Sequence, residues 1–122
     1  MAKRRQIMGW YRDRLAGERG VRLNREAPWA RNAFWLVCLE VDELTDQGRE
    51  TLMRELKTAG VDSRPYFYPV SDLPMYDSAD TPVAHRVAPT GINLPTYFTL
   101  TEQDVDEICR EVLAALGKLS QK

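Results

Sequence analysis

A chain of 122 residues, 43% hydrophobic and 29% charged, is long enough to bury one core of its own, and its formal charge of −1 argues against a dedicated nucleic-acid binder. Its two cysteines, Cys38 and Cys109, lack the tight spacing of a zinc or redox pair, and no apolar run is long enough for a signal peptide or a membrane span. These features predict a soluble, cytoplasmic protein in which both thiols pack as small hydrophobes.

The charge is uneven along the chain. From Lys3 to Arg25 there are eight basic and two acidic residues, and the remainder carries nine basic and sixteen acidic ones. Residues 3 to 17 read as a helix with Ile7, Trp10, Tyr11 and Leu15 on one face. Its start is unusual: Lys3, Arg4 and Arg5 occupy the turn where the helix dipole disfavours cations, and no capping side chain precedes them. That predicts a helix running on from a preceding region, and a Trp10 and Tyr11 face that needs a partner to cover it.

After Gly17 and Gly20, Val21 to Leu23 is a short strand candidate, followed by a polar loop through Pro28. The run Ala33 to Val41 is apolar on both alternating faces, which predicts a central strand covered on both sides. A helix from about Asp46 to Ala59 follows, with Thr45 as N-cap, Leu52, Leu56 and Ala59 inward, and Gly60 then Val61 as its left-handed stop. The next strand, Val61 to about Phe67, leads into Pro65-Tyr66-Phe67-Tyr68-Pro69 and Leu73-Pro74-Met75-Tyr76, where three prolines exclude central pairing and hold the backbone extended. A short helix is expected over 82 to 89, an extended piece at Gly91 to Pro95, and a last helix capped by Thr101 with Asp104 three residues on, running to Gly117. Helices covering one face of a small, largely antiparallel sheet make an α+β domain spanning residues 1–122.

Arg64 stands out because a guanidinium at a strand end, flanked by rings, suits bidentate binding of a carboxylate or phosphate in a partly desolvated place; the plainer reading is an ion pair to Asp62 or Asp72. Alternation means that Tyr66, Phe67, Tyr68 and Tyr76 cannot all point inward, so some should wall a cleft. Ser71 has no evident base for a nucleophile role, and the sole histidine, His85, is expected to face solvent. Glu102, Asp104, Asp106 and Glu107 sit in the first turn of a helix, which suits the dipole better than a metal. No catalytic or metal-ligating residue is expected.

The succession Arg4-Arg5-x-Ile7 with Tyr11 and Leu15, Pro28-x-x-x-Asn32-x-x-Trp35, Gly60-Val61-x-Ser63-Arg64-Pro65-x-Phe67-Tyr68-Pro69, Leu73-Pro74-x-Tyr76 and Ile92-Asn93-Leu94-Pro95 resembles the C-terminal part of the pyridoxal-phosphate-dependent sugar aminotransferases of the DegT/DnrJ/EryC1/StrS family. Within it the pattern is most similar to the GDP-perosamine synthases. The resemblance implies a fold-type-I small domain, with residues 1–19 as the connecting helix from a missing large domain. It implies amino transfer from glutamate to a GDP-linked 4-keto-6-deoxy sugar, with Arg64, Tyr66, Phe67, Tyr68, Asn32 and Trp35 as substrate-cleft residues. Many relatives carry a histidine where Ser71 stands here.

Pyridoxal chemistry needs a Schiff-base lysine and a phosphate cradle. Lys3, Lys57, Lys118 and Lys122 lie at expected helix surfaces or the chain end, and no glycine-rich phosphate loop is present. The cofactor is therefore expected in the complete enzyme, and this chain alone is expected to be inactive. The alternative reading is a non-catalytic interaction module that keeps the small-domain fold and binds a partner through the Ile7, Trp10, Tyr11 and Leu15 face, which would otherwise rest on the large domain and is expected to be exposed and self-associating in isolation.

Overall fold

The computed structural model describes residues 1–121. The chain forms α1 (Ala2–Leu15), β1 (Val21–Leu23), β2 (Val37–Val41), α2 (Asp46–Thr58), β3 (Arg64–Pro65), α3 (Pro82–Val87), β4 (Gly91–Leu94) and α4 (Glu102–Ser120). Two 3-10 turns, Val70–Asp72 and Ala88–Thr90, flank α3. The strands make one antiparallel sheet in the order β1-β2-β4-β3. This is the expected α+β architecture.

Strand alternation sorts the sheet into two faces. Val37 lies opposite Leu94 and Leu39 opposite Ile92, and all four are buried under the helices with Leu52, Leu56, Val105, Ile108 and Val112. Such a set stabilises by roughly 1.5–3 kcal/mol for each fully covered side chain. On the other face Cys38 lies opposite Asn93 and Glu40 opposite Gly91.

The helix ends follow local rules. Thr45 Oγ1 accepts from Gly48 N (3.1 Å) to start α2, and its end is a Schellman arrangement in which Gly60 (φ +85°) donates to Lys57 O (3.0 Å) and Val61 donates to Leu56 O (2.8 Å). At α4, Asp104 N donates to Thr101 Oγ1 while Thr101 N donates to Asp104 Oδ2, a complete capping box. The helix then continues through Gly117 to Ser120, longer than the glycine suggested.

Three expectations are corrected. The run from Ala33 is not a strand until Val37, and β2 is covered on one face only. Asn32 Oδ1 accepts from Phe34 N (2.8 Å), Phe34 takes φ +49° with its ring in the core, and Trp35 is thrown outward. The strand after α2 shrinks to Arg64–Pro65, because Pro65 has no N–H to extend a ladder, and Ala59 is exposed at the cap.

The third concerns α1. Ile7, Tyr11 and Leu15, with Met8, are at most 1% exposed, because α1 lies along α4 of the same chain. Tyr11 Oη donates to Pro95 O (2.8 Å), and Arg14 bridges Asp106 (3.0 Å) and Glu102 (3.3 Å) on α4. Three of the four residues of the face expected to await a partner are thus closed, and Trp10 is partly buried against the same core. The basic start of α1 is also occupied: Arg5 makes a two-armed pair with Glu26 (2.7 and 3.0 Å), and Arg4 donates to Trp35 O (2.6 Å) beside the Phe98 ring. The Arg5 guanidinium, with a further bond from Asn32 N, pulls the Glu26 carboxyl down to about 2.

Candidate functional site

Two open concavities flank the segment that leaves β3, and Phe67 lines both. The first, about 800 Å³, lies between the ends of β3 and β4 and the first turns of α4. Trp35, Arg64, Phe67 and Tyr97 form its aromatic and basic wall, and Glu107 and Glu111 its acidic one. The second, about 1,010 Å³, lies on the sheet face that no helix covers, between Arg22, Cys38, Glu40, Tyr66, Tyr68 and Arg86.

The backbone places these groups for stated reasons. Arg64 sits opposite Asn93 and lines the first concavity, while Tyr66 N donates to Gly91 O (3.0 Å) and its ring lines the uncovered face. Tyr66 then lies flat across Gly91, where a Cβ would stand 2.2 Å from its ring. Only glycine permits that approach. The phenol reaches Glu40 Oε1 (3.5 Å), and burial beside Cys38 and Glu40 pushes its titration far up, so it stays a neutral donor. Cys38 is held by its Sγ to Asn93 Oδ1 (3.3 Å), and burial raises it too. Neither group is an activated nucleophile. Cys109, buried on α4, is pushed up to about 12 and belongs to the core.

The six residues expected at a substrate cleft divide. Trp35, Arg64 and Phe67 come together in the first concavity, with the Trp35 and Phe67 rings 6.4 Å apart and tilted by 30°. Tyr66, Phe67 and Tyr68 line the second. Asn32 lines neither: its side chain turns the backbone at Phe34, and its carbonyl accepts from Arg5 (2.8 Å). Arg64 is not desolvated. It is 77% exposed and loosely paired with the equally exposed Asp62 at 3.3 Å, a contact that contributes little and that an incoming anion can displace.

Sequence reasoning missed several groups here. Asn24 substitutes for a strand, accepting from Cys38 N (2.7 Å) and donating to Leu36 O (3.1 Å). Thr96, in the first concavity, has a shielded hydroxyl with no hydrogen-bond partner among the described residues. His85 does not simply face solvent but bonds Asp72 and Thr81, and Thr81 meets Ser71. The i to i+4 spacing of Thr81 and His85 was the only available signal. The acids at the start of α4 serve the capping box and Arg14, and no group of three or more His, Cys, Asp or Glu among the described residues could hold a metal ion. No helix among the described residues is long and apolar enough to cross a membrane.

Comparison with known proteins places this arrangement. The DegT/DnrJ/EryC1/StrS aminotransferase family profile matches residues 1–113. The chain is 32% identical over 124 residues to the GDP-perosamine synthase of Caulobacter vibrioides, a match covering 98% of this chain and 32% of that protein. The crystal structure of the aminotransferase TlmJ from Streptoalloteichus hindustanus matches with a TM-score of 0.84 at 25% identity, over 97% of this chain and 32% of that one. The PLP form of the sugar aminotransferase Spr1654 from Streptococcus pneumoniae matches with a TM-score of 0.87 at 21% identity, over 97% of this chain and 31% of that one, a likeness of fold alone. The chain thus spans about a third of the length of these proteins, and with nearly all of its own length matched it belongs to the DegT/DnrJ/EryC1/StrS aminotransferase family.

Proposed function

We propose that this chain is the C-terminal part of a pyridoxal-phosphate-dependent nucleotide-sugar aminotransferase that moves an amino group from glutamate to a GDP-linked 4-keto-6-deoxy sugar. The observation that carries the reading is Arg64 standing with Trp35 and Phe67 on one open concavity in a chain matched to perosamine synthases over nearly its full length. Its share of the work is substrate-side. Arg64, released from Asp62, meets a phosphate or carboxylate; Trp35 and Phe67 offer faces to a base or sugar ring; the unpartnered Thr96 hydroxyl supplies a hydrogen bond. From the uncovered face, Tyr66 and Tyr68 bound the second compartment.

Pyridoxal phosphate, when bound, supplies the electron sink for amino transfer. The described residues of this chain do not fit it. Lys3 Nζ lies over the Trp10 ring (4.8 Å), Lys118 Nζ pairs with Glu55 (2.7 Å), Lys57 is exposed, and no described lysine lines either concavity. Lys122 lies outside the described residues. The reading therefore assigns the Schiff-base lysine to the large domain beyond this chain and gives the chain alone no turnover. That domain would rest against the exposed Trp35, Phe67, Tyr97 and Phe98 rings, of which Trp35 and Phe67 pair and Arg4 bonds the Trp35 carbonyl while lying over Phe98. The alternative, an interaction module docking through Ile7, Trp10, Tyr11 and Leu15, loses its surface because that helix face is already packed on α4.

The test is complementation. Mixing this chain with the matching large domain of the Caulobacter relative should restore transamination of a GDP-4-keto-6-deoxy sugar by glutamate, and GDP-mannose titrated into the chain should shift the ring signals of Trp35, Phe67 and Tyr68. Arg64→Ala should weaken that binding about tenfold or more, as expected for a lost charge-assisted hydrogen bond. No activity in the mixture and no shifts with millimolar sugar nucleotide would overturn the reading.

A further inference from the structure

The segment from Phe67 to Asp80 carries Tyr68, Met75 and Tyr76 exposed and contains no strand. Its backbone bonds are local: Asp72 to Pro69, Leu73 to Val70 and Tyr76 to Leu73. Among the described residues, its side-chain hydrogen bonds to the rest of the chain come from two adjacent positions, Ser71 and Asp72, and both lead to the start of α3. His85 Nε2 is 2.6 Å from Asp72 Oδ1, and His85 Nδ1 is 2.8 Å from Thr81 O and 2.9 Å from Thr81 Oγ1. Ser71 Oγ meets Thr81 Oγ1 at 3.1 Å.

We propose that His85 is a positioning residue, a doubly protonated imidazolium that latches the Phe67–Asp80 segment onto α3 and loosens it when the ring loses a proton. The argument is one of donor count. A carboxylate and a backbone carbonyl only accept, so a ring that bonds both carries a hydrogen on each nitrogen, and the Thr81 hydroxyl beside Nδ1 then accepts or turns to Ser71. A neutral imidazole has one N–H for two such acceptors. Deprotonation leaves the one N–H on Nε2 facing the Asp72 carboxylate and turns Nδ1 into an acceptor for the Thr81 hydroxyl at 2.9 Å, so the bond to the Thr81 carbonyl and the positive charge on the Asp72 bond are both lost and the latch weakens.

The charges around the ring point the same way. Asp72 on the 3-10 turn and Asp80 on the stretch entering α3 are both acidic and favour the cation, with the Asp72 hydrogen bond the largest influence and the Thr81 carbonyl next. Arg86, the next residue along α3, lines the uncovered-face concavity. The Asp72 and Thr81 hydrogen bonds, with the charges of Asp72 and Asp80, outweigh desolvation and hold His85 above the ordinary histidine range. The sign follows from linkage: with the folded value raised, the latch is complete below the ordinary histidine value and is lost as pH rises through the folded one. Both partners are partly open to solvent, 42% and 49% exposed, so salt weakens the latch as well. The device goes beyond the aminotransferase reading, because it needs neither sugar nor cofactor; where that reading holds, it sets how Tyr68 and Tyr76 meet the cleft.

His85 is the only histidine, so its ring signals are unambiguous in this chain. A pH titration followed by imidazole nitrogen shifts should show both nitrogens protonated on the acid side of a midpoint that lies above the ordinary histidine value and moves back toward it in Asp72→Asn. Amide protection factors of Asp72, Leu73 and Tyr76, corrected for intrinsic base catalysis, should fall as pH rises through that midpoint. In His85→Gln they should be low and flat with pH, while core amides of β4 stay protected in every variant. A midpoint at or below the ordinary value, or a protection profile that keeps its pH dependence in His85→Gln, would overturn the proposal. Neither outcome bears on complementation with a large domain, so the two readings fail separately.

Discussion

The two faces of the sheet are made from the same strands and are held by different physics. Under the helices, Val37, Leu39, Ile92 and Leu94 meet α2 and α4 in a close-packed layer, where each side chain has many neighbours and no polar debt. On the uncovered face the neighbours are few and specific: Tyr66 over Gly91, the Tyr66 phenol at Glu40, and Cys38 against Asn93. The first region tolerates no loss of volume. The second can lose whole rings at small cost to folding, and so is free to be shaped by what it binds.

The sharpest way to break the comparison is to truncate one side chain on each face. Leu56→Ala, at a fully buried position, should cost about 2–5 kcal/mol, whereas Phe67→Ala, 72% exposed, should stay within about 0.5 kcal/mol, both read as urea midpoints at constant slope. Equal losses would mean that the aromatic edge is part of the core. Next in size, Gly91→Ala sets a methyl into the Tyr66 ring and should cost about 1–3 kcal/mol, with a changed near-UV tyrosine signal. Adding Tyr66→Ala should return part of that loss, and strict additivity would show that the clash is not the cause.

Smaller effects come from the helix ends. Thr101→Ala, which removes both bonds of its hydroxyl, should lower stability by about 1 kcal/mol in the same urea assay. The gentlest test uses acid. Glu26 is held at about 2 by Arg5 and the Asn32 amide, so its share of stability is complete above the ordinary carboxylate range and is lost as pH falls toward 2. Glu26→Gln should flatten that part of the acid unfolding curve, and an unchanged curve would show that the pair with Arg5 contributes nothing.

What could be read from the chain was local. The capping box at Thr101 and Asp104 and the Gly60 stop act over three or four residues and stand where the spacing put them. What could not be read crosses the chain. The strand from Ala33 is cut short because Asn32 turns Phe34 into the core and Asn24, just past the end of β1, bonds the backbone at Leu36 and Cys38. The cations at the start of α1 look misplaced until Glu26 and the Trp35 carbonyl are seen to meet them. At the site, the clustering of Trp35, Arg64 and Phe67 was legible through resemblance, but the exposure of Arg64 was not, since a strand of two residues has no interior to bury it. The His85 latch joins residues 13 apart through a loop of no regular geometry.

The brevity of the outermost strands has a consequence for solution behaviour. β1 is three residues long and is continued by the Asn24 side chain in place of backbone, while β3 has two residues, one of them Pro65. Among the described residues neither margin of the sheet offers a strand longer than three residues, so a neighbouring molecule finds only a short edge on which to pair.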